Sequence, residues 1–357
     1  MPDKGKTKIL LRIRDKPGFF YMALNILLVC GGDGAEHEIS LISADYILKY
    51  LQANPNFNVI YACLHQGKYL LKDGTVATLG EDATLTTPQG VIKIDCAVPC
   101  LHGTPGETGD IQSYFKLLHV PYIGCGPEAS QRCFDKVTTK LYLSALGIPN
   151  SPYIWLNNLN ETALKAAHAF FLVHQDVYVK AASQGSSVGC YHVTKLEDLD
   201  DTIAQAFTFS DTVLIEKNIV HRELEVAAYE IDGKLVVTNP GEIIMPQNVF
   251  YTYEEKYSKN SGTVTTVQPQ GLSDSQKQHI RQLAEQAFKA LKLRDLSRID
   301  FFLSDSGEIL INEINTFPGM TPISMFPKLL EHHGDKMTAF LSGCIERALA
   351  RKAQGQY

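Results

Sequence analysis

From Asn25 onward, short apolar runs alternate with longer amphipathic stretches. The run Asn25–Cys30 (NILLVC) reads as a buried strand closed by Gly31-Gly32. Glu36–Leu51 carries the helical period, with Ile39, Ile42, Ile47 and Leu48 expected to face inward. Asn58–Leu64 and Asp95–Leu101 read as further strands and Ile111–Leu118 as a helix. Strands and helices in turn predict a parallel sheet covered on both faces. Ligands of such folds gather at the carboxyl ends of the strands, where the Gly31-Gly32 and His102-Gly103 turns fall.

A second unit is expected from Gly124–Pro127. Asp135–Leu146 is a helix closed by Gly147 and Pro149. A helix over Glu161–Phe171, a strand Val177–Lys180, a Gly/Ser-rich loop, a β-branched return strand and a helix near Glu197–Phe207 follow. A third region opens with the strand VLIEK after Thr212. It holds a polar, Tyr-rich stretch (Met245–Gly262), a helix over Asp274–Leu291, a hairpin over Leu296–Asn315 and a last helix from about Lys336 to Arg351. The stretch 245–262 reads equally as a solvated loop and as an active-site lid. The expected division is 1–21 as an appended segment, then 22–124, 125–215 and 216–357, an α/β chain of three domains.

Composition narrows the function. With 33 Lys plus Arg against 39 Asp plus Glu the net charge is −6, and no basic stripe suits nucleic acid. The eight cysteines form no C-x-x-C pair, which speaks against a zinc ribbon and for small buried hydrophobes in a reducing compartment, so the chain reads as cytoplasmic. A basic N-terminus precedes the apolar stretch Phe19–Cys30, as in a signal peptide. Asp3, Asp15 and Asn25 interrupt that pattern and no cleavage site follows, so residues 1–21 are expected to be appended, with Met22 as the natural start. No apolar run reaches the length of a membrane span.

Three stretches carry candidate chemistry. The loop 183–189 contains G-x-S-x-G at Ser187, but a hydrolase elbow needs a strand-to-helix turn and CYHVT reads as a strand. A plain hairpin remains open; the favoured reading is a loop whose N–H groups and hydroxyls close over phosphates, with Lys180 as cationic partner. Gly124–Ala129 matches G-x-G-x-x-A, yet Pro127 favours a helix entry, and no P-loop motif exists. In the hairpin, Arg298, Asp300 and Phe302 share one strand face, as do Glu313 and Asn315 on the return strand. A two-residue Ser306-Gly307 turn would set Asp300 opposite Glu313 and Arg298 opposite Asn315. Two carboxylates and an amide suit Mg²⁺; a surface hairpin with incidental acids is the rival.

These pieces, in order, resemble the D-alanine–D-alanine ligases of the ATP-grasp superfamily, through GGDGAEHEIS, HGTPGE, DKVTTK, VKAASQGSSVG, VLIEKNIVHRELEVA, FYTYEEKY, SRIDFFL and NEINTFPGMTPISMFPK. The resemblance implies an ATP-grasp fold and a ligase joining two D-alanines through an acyl phosphate, with ATP and two Mg²⁺ or Mn²⁺ ions, in a homodimer. It implies phosphate lysines Lys136 and Lys180, glycine-loop contacts from Ser186 and Ser187, an adenine strand at Glu216, Lys217 and Ile219, a ribose carboxylate at Glu223, and metal ligands Asp300, Glu313 and Asn315. Glu36 matches the partner of the first substrate's ammonium, linked through Ser186 and Tyr257, and His102 a histidine nearby. Arg298 and the Gly319 N–H match the oxyanion site, Lys256 the lysine on the transferring phosphate, and Ser324 with Arg298 the holders of the second carboxylate.

The chain departs from the family pattern at Thr108, Ala181, Gln184 and Asn218, which bears on substrate choice and adenine packing. Lys256-Tyr257 is intact, which favours an amide product. The rivals are a ligase of D-alanine with another amino acid, another amino-acid pair, a non-catalytic relative, and a serine hydrolase built on Ser187.

Overall fold

The structure is a computed structural model that describes residues 23–244 and 263–355. Strand β1 (Leu24–Gly31) lies between β2 (Phe57–His65) and β7 (Cys96–Pro99), parallel to both. From β2 the sheet continues antiparallel through β3 (Lys68–Leu71), β4 (Val76–Gly80), β5 (Thr84–Thr87) and β6 (Gly90–Lys93). The expected parallel core is therefore extended by an antiparallel meander. Its strands are short and bury about every second residue (Ala77, Leu79, Leu85), too brief a pattern to stand out in sequence.

Alternation along β1 covers both faces. Ile26, Leu28 and Cys30 pack with Ala44, Ile47 and Leu51 of α1 (His37–Gln52), while Leu27 and Val29 pack with Ala62 and with Phe115 of α2 (Asp110–Leu117). Ile42 does not join this core: it is 48% exposed, on the outer side of α1.

Gly126 and Pro127 open α3 (Pro127–Phe134), with Pro at the first turn, where its missing N–H is harmless. Asp135 caps α4 (Lys136–Ala145), its Oδ1 accepting from Thr138 N at 2.6 Å. The second sheet has the order β10-β9-β11-β8, with β8 (Tyr153–Leu156), β9 (Val177–Ala181), β10 (Cys190–Val193) and β11 (Val213–Lys217). Helices α5 (Glu161–His174) and α6 (Leu199–Ala206) back it through Phe171, Leu199 and Ile203. The boundary expected at 215/216 falls inside β11.

The third sheet centres on β12 (His221–Ile231), flanked by β13 (Lys234–Val237), β14 (Gly241–Ile244) and β15 (Val264–Thr266) on one side and by β16 (Leu296–Ser304) and β17 (Ile309–Asn315) on the other. One face, Leu224, Val226 and Ala228, packs with α7 (Asp274–Ala290) and with Ala129 and Cys133 of α3. The other face, Ala227 and Tyr229, packs with α8 (Met325–His333) and α9 (Met337–Ala353) in the same cluster as β1 and α1.

Asp295 joins these layers. It is fully buried, and its carboxylate accepts from Gly124 N at 2.9 Å, Arg347 Nε at 2.9 Å and Arg351 Nη2 at 2.7 Å. All eight cysteines are free thiols, six of them buried. Among the described residues no helix is long and apolar enough to cross a membrane.

Candidate active site

The β16–β17 hairpin forms one wall. Its pairing is Arg298 with Asn315 and Asp300 with Glu313, as expected, but for a different reason. The turn has three residues, Asp305-Ser306-Gly307: Ser304 N donates to Glu308 O at 2.9 Å, and Gly307 takes a φ of 85° that favours glycine. This shifts the lower register by one, and a bulge at Asn312 shifts it back before Glu313. The bulge also brings Asn312 to the cavity wall beside Glu313.

Asp300 is buried, and both its oxygens face Arg298, whose Nε and Nη2 donate to Oδ1 at 2.8 Å and Oδ2 at 2.7 Å. Asn315 Nδ2 donates to the same Oδ2 at 3.0 Å. Across β12, Glu225 is paired in register with Asp300 and lies 3.3 Å from Arg298 Nε. Burial opposes the charge on Arg298, but Asp300 and Glu225 more than offset it and raise its pKa above the ordinary range. Glu313 and Asn315 line the cavity; Asp300 lies beneath Arg298. Among the described residues no group of three His, Cys, Asp or Glu side chains would hold a metal unaided. Two carboxylates paired across a hairpin and an adjoining amide nevertheless fit Mg²⁺, which takes few protein oxygens and completes its shell with water and phosphate.

Facing this wall, Glu36 precedes α1 and reaches between two loops. Ser186 Oγ donates to its Oε1 at 2.5 Å. A side chain at Gly103 would collide with its Oε2, and one at Gly185 would come within 3.0 Å, so both loops need bare backbone to close on the carboxylate. Ser186 and Ser187 themselves have positive φ, 50° and 62°, a backbone conformation uncommon for residues that carry a side chain. That loop joins β9 to the antiparallel β10, so Ser187 sits on no strand-to-helix elbow, which removes the hydrolase reading. His102 is buried, and its Nε2 shares a 2.9 Å hydrogen bond with Ser43 Oγ, which also accepts from Met320 N at 3.2 Å. Burial holds the pKa of His102 down at about 4, so the ring is neutral at pH 7. Glu107 accepts from Gly103 N at 2.9 Å, and its carboxyl is pushed up to about 8 by burial and by the nearby Glu36. Ser324 Oγ lies 2.8 Å from Thr321 Oγ1 and accepts from Thr321 N at 3.0 Å, beside Gly319.

Two cavities abut here. One, about 470 Å³, is lined by Glu36, His102, Glu107, Arg298, Gly319 and Ser324 among others. The second, about 1030 Å³, is lined by Lys180, Ser187, Glu216, Lys217, Asn218 and Ile219 together with Tyr178 and His192, whose rings stack at 4.8 Å. Lys136, Gln184, Ser186, Glu223 and Glu313 line both. Lys136 Nζ donates to Gln184 O at 2.5 Å, holding the glycine loop to α4. The Glu216 side chain is buried and doubly paired: Oε1 accepts from Lys180 and Oε2 lies 2.9 Å from Lys140. Burial alone would raise its pKa; the two lysines reverse this and bring it to about 2.

The structure thus brings every sequence-predicted site residue it describes except Asp300 to the wall of one double cavity; Asp300 lines neither cavity and is buried against Arg298. Lys256 and Tyr257, with the expected lid over 245–262, lie outside the described residues, as do residues 1–21 and Met22. Sequence reasoning missed Ser43, Glu107, Lys140 and Glu225. The period-two pattern of HRELEVA carried a signal for Glu225, because it places Glu223 and Glu225 on one strand face.

Comparison with known proteins follows the same outline. Residues 25–125 match the family profile described as D-ala D-ala ligase N-terminus, and residues 142–346 match D-ala D-ala ligase C-terminus. The chain is 51% identical over 327 residues to the D-alanine–D-alanine ligase of Vibrio atlanticus (strain LGP32), covering 91% of this chain and 99% of that protein. The crystal structure of D-alanyl-alanine synthetase A from Vibrio cholerae O1 biovar eltor str. N16961 superposes with a TM-score of 0.88 at 48% identity, over 92% of this chain and 99% of that one. The VanG D-Ala:D-Ser ligase from Enterococcus faecalis superposes with a TM-score of 0.80 at 27% identity, over 91% and 99% of the two chains.

Proposed function

The chain belongs to the D-alanine–D-alanine ligase family, and we propose that its two abutting cavities are the amino-acid and nucleotide halves of one active site. It is an ATP-dependent ligase on an ATP-grasp fold that joins two D-alanines for peptidoglycan synthesis. One observation carries the site assignment: five residues line both cavities, so a carboxylate in one and a γ-phosphate in the other would meet along that shared wall.

The reaction has two displacements. A carboxylate oxygen of the first D-alanine attacks the γ-phosphorus, and the bond to ADP breaks. The amine of the second D-alanine, having lost its proton, attacks the resulting acyl carbonyl, and phosphate leaves with the bonding electrons. In our reading Glu36, held by Ser186, takes the first ammonium, and neutral His102 lines the same end. Lys136 and Lys180 take the phosphates, with Ser186 and Ser187 closing from above. Lys217 and Ile219 meet the adenine and Glu223 the ribose. Arg298 and the Gly319 N–H stabilise the tetrahedral oxyanion, where fixed donors act most strongly. Ser324 and Arg298 hold the second carboxylate, Lys256 takes the transferring phosphate, and Tyr257 joins the Glu36–Ser186 link. Asp300, Glu313 and Asn315 would hold two divalent cations, Mg²⁺ or Mn²⁺, which supply charge neutralisation to the phosphoryl group.

We further propose three domains, the first over 22–124 and the second from 125, with the boundary expected at 215/216 moved past Lys217 to the end of β11, a homodimeric assembly and a cytoplasmic location. The test is ADP release by the purified protein with ATP and Mg²⁺ across D- and L-amino acids, with product mass. D-alanine alone giving the dipeptide is the expected result. Release that requires a second amino acid would keep the site and change the product. Lys136→Ala with unchanged KM for ATP would overturn the shared wall.

A further inference from the structure

Lys140 is an almost wholly buried cation that lines neither cavity. Its side chain is 2% exposed and lies one helical turn after Lys136 on α4. Its Nζ is 2.9 Å from Glu216 Oε2 and 5.4 Å from the centroid of the Tyr153 ring, and no surface function calls for it. Fully buried charges are rare unless something requires them.

The geometry of its one anionic partner indicates the requirement. Glu216 is held from two sides, by Lys140 on Oε2 and by Lys180 on Oε1. The two cations differ in position. Lys180 lines the nucleotide cavity, whereas Lys140, reaching Glu216 from α4 beside the Tyr153 ring, is buried and lines neither cavity. The trio carries two positive charges and one negative. Were Lys180 the sole partner of Glu216, its move to a phosphate would strand a bare carboxylate in the interior, and the pair would resist opening. Lys140 removes that obstacle, because it keeps Glu216 neutralised whichever way Lys180 turns.

We propose that Lys140 is a positioning residue for ATP binding: it holds Glu216 so that Lys180 can exchange this carboxylate for the phosphates of the nucleotide. The proposal rests on the assignment of the second cavity to ATP. It extends that assignment to a residue that touches no substrate, and it gives the trio a net positive charge before ATP arrives.

The test uses the full-length protein and a non-hydrolysable ATP analogue with Mg²⁺, read by calorimetry, alongside KM values in the ADP-release assay. Lys140→Met should weaken analogue binding and raise the KM for ATP at least tenfold, with the KM for D-alanine within about threefold and a cooperative melting transition retained. Adding Glu216→Gln to that variant removes the carboxylate that captures Lys180, and should recover at least a threefold part of the lost affinity. A residue that merely fills space would show no such recovery. Where the methionine variant does not fold, Lys140→Gln serves in its place and is expected to show the same loss. If folded Lys140→Met binds the analogue as wild type does, or if the double variant binds no better than the single one, the proposal falls while the nucleotide site stands. If the wild-type protein binds no analogue, both fall.

Discussion

Arg298 is where stability and catalysis can be separated by one substitution. Its guanidinium makes a two-pronged bond to Asp300, at 2.8 and 2.7 Å, and approaches Glu225 at 3.3 Å, with the Arg298 side chain only 17% exposed and both carboxylates buried. Arg298→Lys keeps the charge but replaces a planar fork with a point donor, so it keeps one strong bond to Asp300 and loses the other. A hydrogen bond to a charged group contributes about 1.5–3 kcal/mol, which sets the expected loss of stability in urea titration. Arg298→Met leaves two buried carboxylates facing each other without a cation, and breaking a buried pair typically costs about 3–5 kcal/mol. Catalysis should respond differently. Loss of one fixed oxyanion donor lowers kcat by about 10²–10³-fold, or roughly 2.7–4 kcal/mol, and the lysine variant should show nearly all of it. The KM for ATP should change little, because Arg298 lines only the amino-acid cavity. The assay is coupled ADP release at saturating D-alanine and ATP, run beside the urea titration. A lysine variant that loses the expected stability yet turns over within threefold of wild type would refute the oxyanion role.

Three further outcomes are expected. Ser186→Ala removes the 2.5 Å bond to Glu36 and, at about 1.5–3 kcal/mol, should raise the KM for the first D-alanine by roughly 10–150-fold with a smaller effect on ATP; an unchanged KM would detach the glycine loop from substrate binding. Glu107 has a folded pKa of about 8 against an ordinary 4.5, so the folded state holds the extra proton between these values, and stability should fall as pH rises from about 4.5 to 8. Glu107→Gln should flatten that part of the urea-stability profile, and a profile as steep as wild type would remove Glu107 as its source. Glu313→Ala should lower turnover at least about 10²-fold and raise the Mg²⁺ concentration needed for half-maximal rate; wild-type Mg²⁺ dependence would exclude Glu313 from the metal set.

The sequence was most legible where strong periodicity coincided with chemistry. Asn25–Cys30, VLIEK and the helix after Ser273 appear within a residue or two of the expected bounds, because buried β-branched runs and a full capping box leave little choice. The hairpin is more instructive. A two-residue turn was the wrong premise, yet the Asp300–Glu313 pair came out right because the bulge at Asn312 cancels the longer turn. Short sequence cannot reveal a bulge, whose only local mark is an extra residue in an otherwise regular strand. The β3–β6 meander was invisible because strands of four or five residues are too short to establish a period. Glu225, Lys140 and Ser43 were hidden for another reason: each meets a key partner (Arg298, Glu216 and His102) that lies far away in the chain, and no local pattern encodes that pairing.

The carboxylate of Asp295 also bears on the order in which the chain can be completed on the ribosome. Its cationic partners, Arg347 and Arg351, belong to α9, and α9 also supplies Phe340, Leu341 and Ile345 to the core that holds β1. Synthesis runs from the other end, so the first strand emerges long before the helix that covers it, and Asp295 waits without its guanidinium groups until α9 leaves the exit tunnel. The face of the N-terminal sheet that α1 covers must therefore wait until the end of translation for the part of its cover that α9 supplies. A ribosome stalled before α9 would present a chain whose cluster around β1 lacks Phe340, Leu341 and Ile345 and whose Asp295 lacks both arginines.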